Sequence, residues 1–134
     1  MTDIHDLAAR SSKAWEGDDT DAFLALFTPD AVYRDDQVNR LNQGHADLRP
    51  FHEHFAAALS NVKLDIRRAF GDGENALFEW HFSGDQTGPY HGRPPSNLHF
   101  EQDGVSLLTL APDGKVKAVV DYYDSGGVSK QLDQ

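Results

Sequence analysis

Asp113-Gly114-Lys115-Val116-Lys117-Ala118-Val119-Val120-Asp121-Tyr122-Tyr123-Asp124 joins a tight Asp-Gly turn to a β-branched and aromatic run, and reads as the last strand of a sheet. Strand side chains alternate between faces, so Val116, Ala118, Val120 and Tyr122 share one face and Lys117, Val119, Asp121 and Tyr123 the other. Asp121 is out of place among Val119, Val120, Tyr122 and Tyr123 unless its face is wet or its charge has a use. Read alone, it is a solubilising charge on an exposed edge.

Working outward, the preceding segments supply partners for that strand. Leu98 to Leu110 reads as a long strand with a bulge at Gly104, and Ala76 to Ser83 as another. The latter puts Phe78, Trp80 and Phe82 on one face and Glu79 and His81 on the other. Val62, Leu64, Ile66 and Phe70 alternate with Lys63, Asp65 and Arg67 in a strand that ends at the Gly71-Asp72-Gly73 turn. Before these lie three helical patterns. Ile4 to Trp15 is stopped by Gly17, and Ala22 to Phe27 is ended by Pro29. The third follows Gly44, its stripe made of Leu48, Phe51, Phe55, Ala58 and Leu59. Pro50 predicts that this helix becomes regular only near Asp47, with the proline in the first turn. A short strand, Ala31 to Asp35, separates the second and third helices and sets Ala31, Tyr33 and Asp35 on one face. The order predicts an α+β fold, helices packed on one face of a largely antiparallel sheet.

The 134 residues fit one domain, 1–134. A formal charge of -10, from 22 acidic and 12 basic residues without a basic cluster, disfavours nucleic acid and anionic membranes. No apolar run is long enough to span a bilayer; with no cysteine and no secretory pattern after Met1, the expectation is a cytoplasmic protein.

The chain resembles the nuclear-transport-factor-2-like superfamily and, within it, the SnoaL-like polyketide cyclase group. The markers are Ala14-Trp15-Glu16-Gly17-Asp18, Phe27 through Asp35, Gly44, Glu79-Trp80-His81-Phe82-Ser83-Gly84, the loop Gly88 to Pro95, and Asp113-Gly114-Lys115-Val116 running to Asp124. The resemblance implies a cone, in which a strongly curved antiparallel or mixed sheet wraps a pocket closed by the three helices of the N-terminal half. It also implies a homodimer through the convex sheet face, which assigns Phe78, Trp80 and Phe82 to the dimer interface. Glu79 and His81 would then point into the pocket with Asp121, Tyr123, Tyr33 and Asp35. In ketosteroid isomerases the general-base carboxylate stands where Asp35 falls. In limonene-epoxide hydrolases the water-activating groups resemble the positions of Tyr33, Asp35, Glu79, His81 and Asp121. Three positions depart from these patterns: Ser106 stands for the isomerase oxyanion-hole Asp, Glu79 for the hydrolase Arg, and Gln86 for the cyclase loop His.

The expected catalytic set is Asp121, Asp35, His81 and Glu79. Carboxylates sharing an apolar cavity cannot all ionise, so one should titrate near neutrality and exchange protons with His81. Tyr33, Ser106, Tyr123, Trp15, Phe27 and Phe55 are expected to contact an apolar small molecule such as a polyketide or steroid-like ring. No cofactor or metal is expected. His52 and His54, two apart on a helix, cannot share an ion, and Gly71-Asp72-Gly73 lacks the Lys-Ser/Thr of a phosphate loop. Without cysteine or a Gly-x-Ser-x-Gly motif, nucleophilic catalysis drops out. The reading is thus a cofactor-free isomerase, cyclase or hydratase; the alternative is a non-catalytic ligand-binding, accessory or dimerisation domain of the same fold.

Overall fold

A computed structural model describes residues 3–133; Met1, Thr2 and Gln134, part of the expected domain 1–134, lie outside the described residues. Helices α1 (Ile4–Glu16) and α2 (Thr20–Leu24) lead into β1 (Phe27–Asp35), a short 3-10 turn, and β2 (Arg40–Gln43). Helix α3 (Gly44–Ala58) is followed by β3 (Leu59–Gly71), β4 (Asn75–Gln86), β5 (His99–Leu110), β6 (Val116–Tyr123) and α4 (Ser125–Leu132). The strands form one curved, open sheet in the order β2-β1-β6-β5-β4-β3, antiparallel throughout except where β1 runs parallel to β6. The expected α+β cone is therefore the observed fold.

Local chemistry explains the elements. The Asp3 and Asp19 side chains accept backbone N–H groups at the starts of α1 and α2, satisfying donors that the first helical turn leaves free. Trp15, on α1, meets Phe23, Phe51 and Phe55 edge to face at ring separations of 5.1, 5.8 and 5.5 Å, fastening α1 to α2 and α3 over the concave side of the sheet. Gly44 opens α3 at φ +74°, and an added Cβ would press on the Pro29 carbonyl. The helix is regular from Gly44, so Pro50 stands in its second turn rather than its first, leaving the Ala46 carbonyl without its helical donor. Pro29 lies within β1, and α2 has already ended at Leu24.

Three departures from the sequence reading decide what faces the cavity. First, β4 is turned the other way: Phe78, Trp80 and Phe82 face inward and line a cavity, so they are not an outer interface. Glu79 and His81 lie on the outer face, where Glu79 meets the Arg68 guanidinium at 2.6 and 3.1 Å and His81 bridges Asp103 and Glu101. Charges keep their hydration there, whereas the aromatic side chains lose water by turning in. Secondly, a register shift between Ile66 and Arg68 in β3 flips the alternation: Leu64 and Ile66 face the cavity while Phe70 is 57% exposed. Thirdly, Gly104 is not a bulge. It pairs in register with Trp80, and a Cβ there would clash with the indole ring.

Helix α4 was not foreseen. Asp124 caps it through the Gly126 N–H; its Leu132 is buried in a cluster with Ala58, Leu59 and Phe100, and Val128 reaches the cavity wall. No helix among the described residues is long and apolar enough to cross a membrane.

Candidate functional site

The register of three strands builds the polar floor of the cavity. Ser106 on β5 is paired with Phe78 of β4 on one side and Asp121 of β6 on the other, so all three side chains leave the sheet inward. The next inward row is Trp80, Gly104 and Tyr123. On β1, which runs beside β6, Tyr33 and Asp35 point the same way. The cavity holds about 130 Å³ and is otherwise walled mainly by aromatic and aliphatic side chains, with Ser11, Arg40, His91 and Gln102 also on its lining.

Asp121 is 9% exposed, and both its oxygens are taken. The Tyr33 hydroxyl donates to Oδ2 at 2.5 Å and the Ser106 hydroxyl to Oδ1 at 2.5 Å; Trp80 Nε1 in turn donates to Ser106 Oγ at 2.9 Å. Burial raises the Asp121 pKa to about 6, the two hydroxyl donors working against that rise and the Asp35 charge adding to it. Burial and the Asp121 charge hold the Tyr33 phenol well above its ordinary range, so it stays a donor.

Asp35 is placed differently. Tyr123 donates to its Oδ2 at 2.6 Å, while Oδ1 is buried with no partner. Burial, then the hydrogen bond to Asp35, pushes the Tyr123 phenol up, so it too remains protonated. The molecule thus contains two neighbouring carboxylates, one fully hydrogen-bonded and one with an oxygen to spare.

A third group of residues, centred on the Gly88 to Pro95 loop and Gln86 but not among those expected at the site, forms the mouth. Tyr90-His91-Gly92-Arg93 is a tight two-residue turn with paired backbone bonds between Tyr90 and Arg93 at 2.9 and 3.0 Å, and with positive φ at His91 and Gly92. Gln86, fully buried, fastens this loop: Nε2 donates to the carbonyls of Gly88 and Pro94, and Oε1 accepts from Ser96. Gln86 therefore organises the loop, and the loop brings Tyr90 and His91 to the cavity alongside Arg40 of β2. Burial raises the Tyr90 phenol to about 12 and lowers His91 to about 4, the Arg40 charge adding to the fall at His91.

Of the residues expected at the site, Asp35, Asp121, Tyr33, Ser106, Tyr123, Trp15, Phe27 and Phe55 line the cavity. His81 and Glu79 do not. His81 belongs to an outer row in which it contacts Asp103 at 2.6 Å and Glu101 at 2.8 Å, while His99 contacts Asp85 at 2.8 Å. His52 is a packing residue: Nε2 donates to the Ala14 carbonyl at 3.1 Å and Nδ1 meets the Thr20 hydroxyl at 2.9 Å, joining α3 to α1 and α2.

A helix-closed cone with acids and phenols at its floor defines a small-molecule pocket protein of the ketosteroid isomerase-like fold. The SnoaL-like polyketide cyclase family model matches residues 5–132, and the chain belongs to that family. Solved structures give the same fold. TsrD from Streptomyces laurentii superposes with a TM-score of 0.84 at 21% identity, covering 96% of this chain and 93% of its own. A protein of ketosteroid isomerase-like fold from Catenulispora acidiphila, solved with trimethylamine, gives 0.81 at 21% identity over 95% and 92%. A Shewanella denitrificans protein described as a SnoaL-like polyketide cyclase gives 0.85 at 20% identity over 97% and 96%. No curated protein matches the chain.

Proposed function

We propose that this protein is a cofactor-free acid-base enzyme that abstracts a proton next to a carbonyl of an apolar substrate, starting an isomerisation or a ring closure. The observation that carries the reading is the unpartnered, buried Oδ1 of Asp35 in a cavity whose other carboxylate is fully bonded. Asp35, oriented by Tyr123, is the base that takes the proton from carbon. Tyr33 and Asp121 act on the carbonyl oxygen. When Asp121 is protonated, the Asp121–Tyr33 hydrogen bond can reverse, freeing the Tyr33 hydroxyl to donate into the cavity as charge grows on oxygen. An acid titrating near 6 suits that exchange at neutral pH.

The test is α-proton exchange of 2-tetralone, a flat apolar ketone, followed by NMR in deuterated buffer. Wild type should accelerate deuterium uptake, and Asp35→Asn should slow it about 100-fold or more, the usual worth of a general base. Absence of acceleration by wild type overturns the enzyme reading. A second reading, a binding domain without turnover, draws on the prior engagement of both Asp121 oxygens by hydroxyls; tetralone binding without exchange would select it.

We also propose that a second copy of the chain covers the outer sheet face. Phe70, Leu77, Leu107 and Val120 are directly opposite one another across β3, β4, β5 and β6, forming an unbroken apolar row, with Phe70 57% and Leu107 42% exposed. This row replaces Phe78, Trp80 and Phe82 as the homodimer face. Sedimentation of Leu107→Glu should give monomers where wild type gives dimers; identical behaviour of the two proteins would refute the assignment.

A further inference from the structure

Arg40 is the exception among the arginines. Arg10, Arg34, Arg49, Arg67, Arg68 and Arg93 each pair with an aspartate or glutamate, whereas Arg40 has no carboxylate within ion-pair distance among the described residues. Its place makes this notable. Antiparallel pairing of β1 and β2 sets Arg40 directly opposite Asp35, so both side chains leave the sheet on the same, inward face. The two do not close on each other. Asp35 is held by Tyr123, and the Arg40 guanidinium turns to His91, with Nη2 to Nδ1 at 3.0 Å, and lies 5.6 Å from the centre of the Phe51 ring. Phe51, His91, Arg40 and Asp35 all line the cavity, so an arginine and an aspartate of opposite charge face it while bonded to separate partners.

The surroundings of Arg40 keep it a single, available cation. His91 lies tilted against His54 at a ring separation of 4.7 Å, and burial lowers both imidazoles, so at neutral pH they are uncharged and His91 accepts from the guanidinium. His54 Nε2 is itself buried without a partner. The Tyr90 ring lies 4.2 Å from the ring of His91, the residue that holds Arg40, and all three line the cavity. The wall thus offers a planar cation set against the Phe51 and His91 rings, with the Tyr90 phenol on the same cavity lining, a donor set suited to two oxygens in one plane. In a chain of net charge -10, long-range attraction for an anion is absent, so the recognition must be made by this local group.

We infer that Arg40, with Tyr90, forms a carboxylate-recognition subsite at the mouth of the cavity, and that the ligand is an apolar ring body bearing a carboxylate. The inference rests on the pocket reading proposed above. It places the acid group of the ligand against β2 and the Tyr90 loop and its ring body among Trp15, Phe55 and Trp80, bringing a carbon of the ring within the part of the cavity served by Asp35.

The probes are 2-naphthoate and its uncharged methyl ester, which share the ring body. Binding is read from the fluorescence of Trp15 and Trp80, the two tryptophans of the chain, both on the cavity wall. Wild type should bind the acid about tenfold or more tightly than the ester, the usual worth of a charge-assisted bond. Arg40→Gln should abolish that preference by losing affinity for the acid alone, its retained ester binding showing an intact pocket. Arg49→Gln, which removes the same charge from the exposed Asp21 pair, should keep the preference in full. Equal binding of acid and ester by wild type would overturn the subsite, leave the pocket standing, and make Arg40 a counter-charge to Asp35. A preference that survives Arg40→Gln would overturn the assignment to Arg40. If neither probe bound wild type, both the subsite and the pocket reading would fall.

Discussion

The two faces of the sheet carry similar side chains and treat them in opposite ways. On the inner face Asp35 and Asp121 lie among phenols and aromatic rings, and burial leads the rise of Asp121 to about 6. On the outer face Asp103, Glu101 and Asp85 alternate with His81 and His99, and hydrogen bonding leads every shift, lowering the acids and raising the imidazoles. Outside, water and partners favour the charged forms. Inside, loss of water favours the neutral form of Asp121, and its neighbour Asp35 keeps one buried oxygen without a partner.

The largest stability effect should separate the faces by sign. Asp121 has a folded pKa above its ordinary 3.8, so its proton is held more tightly in the native state, and stability falls as pH rises between about 4 and about 6. Urea unfolding of wild type and Asp121→Asn across that window should show the wild type losing on the order of 2–3 kcal/mol relative to the variant. The outer acids behave oppositely: lowered in the fold, they contribute stability that is lost as pH falls. A difference between wild type and Asp121→Asn that does not change with pH would break the comparison.

A smaller effect probes how the inner face is packed. Gly104→Ala should displace the Trp80 indole, cost about 1–3 kcal/mol, and shift tryptophan emission as the Trp80–Ser106 bond is lost. Unchanged emission would mean that the indole is not held by that close approach. Smallest of all, His81→Gln should change stability by less than about 1 kcal/mol and leave tetralone exchange at the wild-type rate, because its partners are solvated. A large loss of exchange would return His81 to the site.

The sequence carried the fold, and the residues it placed at the site line the cavity, Glu79 and His81 excepted, for identifiable reasons. Alternation alone put Asp121 and Tyr123 on one face of the last strand and Tyr33 and Asp35 on one face of the first, but it left Asp121 on an exposed edge; the resemblance to the SnoaL-like group supplied the inward direction. On β4, alternation separated Phe78, Trp80 and Phe82 from Glu79 and His81 but carried no sign, and the outward partners Arg68, Asp103 and Glu101 come from other strands. Ser106 held the missing clue: it pairs with both Asp121 and Phe78, so an inward Ser106 requires an inward Phe78, but that register becomes visible only in the folded sheet. Arg40 sits in a four-residue strand without β-branched residues, and Tyr90 and His91 sit in a Gly/Pro-rich loop whose His-Gly pair suits positive φ, the one local signal there. Helix α4 begins Ser-Gly-Gly, which hides it, although the Asp124 cap and the spacing of Val128 and Leu132 mark it.

The proposed proton transfer depends most directly on the buried acid. A 13C NMR titration of the Asp121 carboxyl carbon should give a midpoint of about 6, against the ordinary 3.8 of an aspartate. A midpoint at the ordinary value would mean that the inner face is as wet as the outer one, and would contradict the proposed proton transfer.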